Sequence, residues 1–124
     1  MTDAKTMTDT INAYVAAFAA GDADAAAALF AEDASVEDPI GSPVRKGRGA
    51  IRAFYAQSMV TGAKLTLEGP VRIAGDIAAF PFSVNLTLNG SAKRIDVIDI
   101  FRFDGSGKII EMRAFWGPDN MHGF

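Results

Sequence analysis

From Thr8 to Ala20 the apolar residues Ile11, Tyr14, Val15 and Phe18 recur every three or four positions, the period of a helix buried along one side. Gly21 ends that helix, and Asp22 opens a second one predicted to run through the alanine-rich stretch to about Ala31. A short strand is expected from Ala34 to Asp38, and a third helix after Gly47-Arg48-Gly49 with Ile51, Phe54, Tyr55 and Ser58 on one side. The pattern then changes to strict alternation. Lys64 to Glu68 alternates around Leu65 and Leu67, and Ile77 to Leu88 sets Phe80, Phe82, Val84, Leu86 and Leu88 on one face. Asn89-Gly90 is a hairpin turn joining this strand to Arg94–Phe103. Asp104-Gly105-Ser106-Gly107 joins that one to Lys108–Trp116. With a strand on each side and no helix after it, this glycine-rich turn reads as a hairpin and not as a phosphate loop. Helices first and strands later predict one α+β domain over 1–124, its helices packed on a curved, largely antiparallel sheet around a pocket. Residues 1–6 are expected to form a loose arm.

Composition narrows the chemistry. The chain has 124 residues and is 49% hydrophobic, with nine phenylalanines, enough for a sizeable core and an apolar cavity. A net charge of −3 argues against nucleic acid as a partner, because a phosphate backbone needs a basic footprint. Cysteine is absent, which removes disulfides and thiolate chemistry and is compatible with a cytoplasmic setting. No apolar run approaches the ~20 residues of a membrane span, so no membrane insertion is expected. The one histidine, His122, lies close to the polar end of the sequence. Catalysis that relies on Asp, Glu and Tyr is therefore favoured over a histidine triad or a histidine metal cage.

Strand parity singles out one residue. In Ile95–Phe103, Asp99 shares a face with Ile95, Val97, Phe101 and Phe103. An ionised carboxylate in such a row costs several kcal/mol in desolvation unless it is paired. Three readings follow: a neutral acid that donates a hydrogen bond, an aspartate paired with Arg72 or Arg113, or one that meets water at a sheet edge. Tyr14 and Tyr55 carry phenols on the apolar sides of their helices, either as core tyrosines or as donors beside Asp99 in an oxyanion hole. In Val36-Glu37-Asp38-Pro39, parity sends Asp38 the same way as Val36 and Glu37 the other way. Asp38 is then either a base at the pocket mouth or a simple turn-initiating Asp-Pro, with Pro39 narrowing its orientation.

Several stretches together resemble the bacterial ketosteroid isomerases of the NTF2-like superfamily, cone-shaped α+β domains. They are Y-V-A-A-F-A-A-G-D, L-F-A-E-D-A-S-V-E-D-P-I-G-S, A-I-R-A-F-Y-A-Q-S and D-I-F-R-F-D-G-S-G-K-I-I-E-M-R-A-F-W-G. The resemblance implies that Asp38 is a general base and that Tyr14 and a protonated Asp99 hold an oxyanion, the arrangement known for that family. It also implies that Tyr55 supports Tyr14 by a hydrogen bond, and that the bond before Pro39 is cis. Phe30 stands where some members carry a further tyrosine.

The implied reaction moves the double bond of a 3-oxo-Δ5 steroid into conjugation by proton transfer through a dienolate, and requires no cofactor. An apolar lining suits such a small hydrophobic substrate, and parity offers Phe82, Val84, Phe101, Met112 and Trp116, with Phe54 from the third helix. On the opposite sheet face Ile98, Ile100 and Phe115 are too apolar for a fully wet surface, which predicts a homodimer. Two other readings remain: a non-catalytic binding module on the same scaffold, or another enzyme such as a polyketide cyclase. An epoxide hydrolase would need a polar water-holding cluster, and the sequence offers no clear counterpart.

Overall fold

A computed structural model describes residues 2–124. Helix α1 (Ala4–Ala20) is capped by the Asp3 carboxylate, which accepts from the Thr6 amide at 2.8 Å, and it buries Met7, Ile11, Tyr14, Ala17 and Phe18. It therefore starts before the expected Thr8. Thr2 is also held, its hydroxyl donating to the Asp104 carbonyl at 2.7 Å, so most of the expected loose arm is docked. Gly21, at φ 64, takes the left-handed conformation that lets the Asp22 amide reach back to the Ala17 carbonyl. Asp22 then caps α2 (Ala23–Ala27) through the Ala25 amide.

Helix α2 is shorter than expected, and strand β1 (Phe30–Glu37) starts earlier than Ala34. The reason lies far away in sequence. Phe30 is fully buried opposite Ile109, and the Lys108 ammonium donates to the Ala28 carbonyl at 2.9 Å, which closes the helix end. The short β2 (Arg45–Lys46) precedes α3 (Arg48–Val60), which buries Ile51 and Tyr55. Strands β3 (Lys64–Leu67), β4 (Arg72–Ala74), β5 (Ile77–Leu88), β6 (Ser91–Phe103) and β7 (Ile109–Phe115) follow. A 3₁₀ turn (Pro118–Asn120) leads into β8 (Met121–His122).

The sheet is curved and unclosed, in the order β2-β1-β7-β6-β5-β3, with β4 on β5 and β8 on β6. All pairings are antiparallel except β1 with β7. Helices α1 and α3 pack against the sheet and α2 packs on both of them, and the aromatic core between helices and sheet includes Tyr14, Phe30, Tyr55, Phe80, Phe101 and Phe103. The long β5–β6 ladder runs from Ile77 opposite Arg102 to Leu88 opposite Ser91 without a slip, so the parity read from the sequence holds along its whole length. Among the described residues no helix is long and apolar enough to cross a membrane.

Candidate active site

Asp99 sits in mid-strand, opposite Phe80 on β5 and Ala114 on β7, and is 1% exposed. Among the described residues neither carboxyl oxygen has a hydrogen-bond partner. Arg113 turns instead to Glu37 at 3.8 Å, and Arg72 donates to the Pro70 carbonyl at 3.1 Å. Of the three readings open in the sequence, the guanidinium pair and the water-facing edge are thus both absent. Burial pushes the Asp99 pKa well above the carboxylate range, and the charge of Asp38 adds to the shift.

This has a measurable cost. Unfolded, Asp99 titrates near its reference value of about 3.9; folded, it keeps its proton to higher pH. Between those two values the folded state binds the extra proton, so the contribution of Asp99 is complete at low pH and declines as pH rises. The slope is at most about 1.4 kcal/mol per pH unit. Urea denaturation between pH 5 and 7 is expected to show the wild type losing stability relative to Asp99→Asn by up to that slope. Parallel curves for the two proteins would mean that Asp99 is ionised when folded.

Tyr14 from α1 and Tyr55 from α3 are both buried, and their hydroxyls share a hydrogen bond of 3.0 Å. Their rings meet edge to face at 5.6 Å, and Tyr14 also packs its ring against Phe101 at 5.1 Å. Burial raises both phenols well above their ordinary pKa, and nearby Asp99 raises them further. Both therefore stay protonated, as donors. Phe30 packs 5.8 Å from Tyr55, so no third hydroxyl extends the pair on that side.

Asp38 follows directly on β1. Val36 is fully buried, and Asp38, two residues on, turns the same way. The Trp116 indole N–H donates to Asp38 Oδ1 at 2.8 Å. Burial raises the Asp38 pKa, while the Trp116 hydrogen bond and the charge of Arg45 act against it. Glu37 points away and anchors the next loop, accepting from the Gly41 amide at 2.9 Å. The loop is pinned again where the Ile40 amide meets the Ala114 carbonyl at 2.9 Å and where the Ser42 hydroxyl meets the Pro39 carbonyl at 2.6 Å. The Asp38–Pro39 peptide is cis.

Asp38, Tyr14 and Tyr55 line a cavity of about 260 Å³, together with Phe54, Phe82, Val84 and Trp116. Apart from the few polar groups its wall is hydrocarbon. Phe101 and Met112 do not line it. They share the expected inward parity but are fully buried beneath the wall, which corrects their reading as substrate contacts. Asp99 is enclosed beside the cavity and is not part of its wall. The sequence reading placed Trp116 in the apolar lining and missed its hydrogen bond to Asp38. That bond depends on β7 lying next to β1, a neighbourhood set by the whole sheet. Ser58 and Thr61 also line the cavity; helical spacing sets Ser58 on the same side as Phe54 and Tyr55 but gives it no role, and it says nothing of Thr61. Among the described residues no group of His, Cys, Asp and Glu is placed to hold a metal ion.

The family model of the SnoaL-like domain matches residues 11–112. A steroid Delta-isomerase of Nocardioides simplex is 41% identical over 109 residues, which is 87% of each chain. The solved structure of SalBIII, an epoxide hydrolase/cyclase-like enzyme with a role in pyran ring formation in the polyether salinomycin, has a TM-score of 0.93 at 28% identity, covering 100% of both chains. Given these matches over nearly the whole length and the fold that carries them, the chain belongs to the SnoaL-like family of NTF2-like domains and is a homologue of steroid Delta-isomerase.

Proposed function

We propose that the protein isomerises 3-oxo-Δ5 steroids to their conjugated 3-oxo-Δ4 isomers without a cofactor. The relative supports an isomerase; the observation that carries the particular reaction is the buried, partnerless carboxyl of Asp99 beside the Tyr14–Tyr55 pair. An acid in that position lacks an acceptor, and a substrate oxygen supplies one where the substrate displaces the side chains that separate Asp99 from the cavity. Ionised Asp38 takes a proton from carbon 4 of the steroid, the carbon between carbonyl and double bond. The electron pair moves through the conjugated system onto the carbon 3 oxygen, giving a dienolate. Tyr14 and neutral Asp99 donate hydrogen bonds to that oxygen, and Tyr55 donates to Tyr14, a choice of rotor the 3.0 Å contact allows. Asp38 then returns the proton to carbon 6.

Each residue suits its step. Burial makes Asp38 a stronger base than an exposed aspartate, and Trp116 and Arg45 keep it ionised. Trp116 also fixes one carboxylate oxygen, leaving the other free to pivot between the two carbons. The assay is the ultraviolet absorbance of the conjugated enone formed from a Δ5-3-ketosteroid. Its absence with purified protein would remove this reading.

A second reading is supported by the likeness to the cyclase-like enzyme. A neutral acid and a carboxylate flanking one cavity also suit ring closure of a hydroxy-epoxide. Asp38 takes the hydroxyl proton, the hydroxyl oxygen attacks an epoxide carbon, that carbon–oxygen bond breaks, and Asp99 protonates the departing oxygen. No bound water is needed, since the nucleophile belongs to the substrate.

The outer sheet face supports the homodimer. Ile98 is 49% exposed, Phe115 41% and Ile40 38%, and all three border one shallow groove. Sedimentation at micromolar concentration is expected to give a species of twice the 13.1 kDa chain, shifted to monomer by Ile98→Glu. A monomeric wild type would count against it.

A further inference from the structure

The cavity has a second polar end. Ser58 and Thr61 line it together with Leu86 and Ile95. At a helical rise of 1.5 Å per residue, Ser58 lies about 4.5 Å and Thr61 about 9 Å beyond Tyr55 along α3. On the facing wall, Ile95 lies four residues from Asp99 along β6, about 13 Å at strand spacing. The Thr61 carbonyl accepts from the Thr87 amide at 3.3 Å, next to Leu86 at the far end of β5. The two hydroxyls therefore stand at the opposite end of the cavity from Asp38 and Tyr14.

Their protons are already engaged. Ser58 Oγ donates to the Phe54 carbonyl at 3.1 Å and Thr61 Oγ1 to the Ser58 carbonyl at 2.7 Å. The Ser58 carbonyl lies in the last turn of α3, where backbone acceptors lack partners within the helix, and the Thr61 amide reaches it only at 3.4 Å. Turning the Thr61 hydroxyl towards a ligand would leave that weakly held acceptor poorly satisfied, and turning Ser58 would give up its bond to Phe54, so each oxygen offers lone pairs inward and no proton. The 13-residue α3 also directs the negative end of its dipole at the same place. Two independent features thus make this end an acceptor.

We propose that Ser58 and Thr61 form a subsite for a hydrogen-bond donor, so that the protein selects 3-oxo steroids bearing a hydroxyl at carbon 17 over those bearing a ketone there. This rests on the steroid reading of the site. At the opposite end the donors Tyr14 and Asp99 meet a substrate acceptor; here the protein supplies acceptors and the substrate must supply the donor. The molecule is thereby oriented as well as chosen. Reactions that reduce the carbon 17 ketone would supply the preferred substrates.

The test uses Δ4 steroids, which bind without needing turnover. Trp116, the one tryptophan, lines the cavity and reports binding through its fluorescence. The Δ4-3-ketone with a 17β-hydroxyl is expected to bind about 3- to 10-fold more tightly than the 17-ketone, the weight of one neutral hydrogen bond. In Ser58→Ala/Thr61→Val the ratio is expected to fall to about 1. If the double variant does not fold, Ser58→Ala alone, which removes a single oxygen, is expected to lower the ratio. Equal binding by the wild type, or a preference that survives in the variants, overturns the subsite. The enone assay separates the two proposals. Turnover with equal binding removes the subsite and keeps the isomerase; selective binding without turnover does the reverse. If neither steroid binds, both fall.

Discussion

Asp38→Asn is expected to lower the isomerisation rate constant by about 10²–10⁴-fold, the usual contribution of a positioned acid–base group. The substitution keeps the shape of the side chain and an oxygen to accept from Trp116, so the cavity and loop should persist. What it removes is the lone-pair basicity that takes a proton from carbon. Enone absorbance under saturating substrate measures the loss, and a steroid product titration checks that binding survives. Full activity in the variant would eliminate Asp38 as base. The pH profile gives the same assignment a second test. Because burial raises the Asp38 pKa, the acid limb of kcat/KM should lie above the ordinary aspartate value of about 3.9, and activity should fall as pH drops through it.

The next largest effect is expected from the two proposed oxyanion donors. Tyr14→Phe and Asp99→Leu each remove one hydrogen bond to the charge that develops on oxygen, a loss of about 10²–10³-fold in kcat. The phenylalanine keeps the edge-to-face contacts with Phe101 and Tyr55 and loses only the hydroxyl. Unchanged kcat in both would place the oxyanion elsewhere. Asp99→Asn separates the two readings of the site. An amide still donates a hydrogen bond, so isomerisation should fall less than in Asp99→Leu. It has no proton to give away, so epoxide opening should stop.

Much of this site is legible in the sequence because strands obey a period of two. Asp99 stands out in an apolar row, and the unslipped β5–β6 ladder makes that row real. The turn after Val36 sorts Asp38 from Glu37 in the same way. Local rules fail where a distant residue decides. Phe30 leaves its alanine-rich neighbourhood for a strand because Ile109 waits opposite it, and nothing near Phe30 says so. Parity also tells side from side but not depth, so Phe101 and Met112 share the parity of the lining yet lie beneath it. In the sequence the Trp116 indole counts only as hydrocarbon, because its partner is brought to it only by the parallel β1–β7 pair.

That parallel pair also has a kinetic consequence. Strand β1 lies between β2 and β7 in the sheet, and β7 is the last long strand in the sequence. During synthesis, an early strand with apolar side chains must wait for almost the entire polypeptide before its central neighbour exists. Contacts so remote along the chain form slowly, and surfaces left open meanwhile invite association between growing chains. A ribosome that stalls before Ile109 would release a fragment that has Asp38 but neither β7 nor the Trp116 indole that donates to it, a natural client for chaperones and proteases.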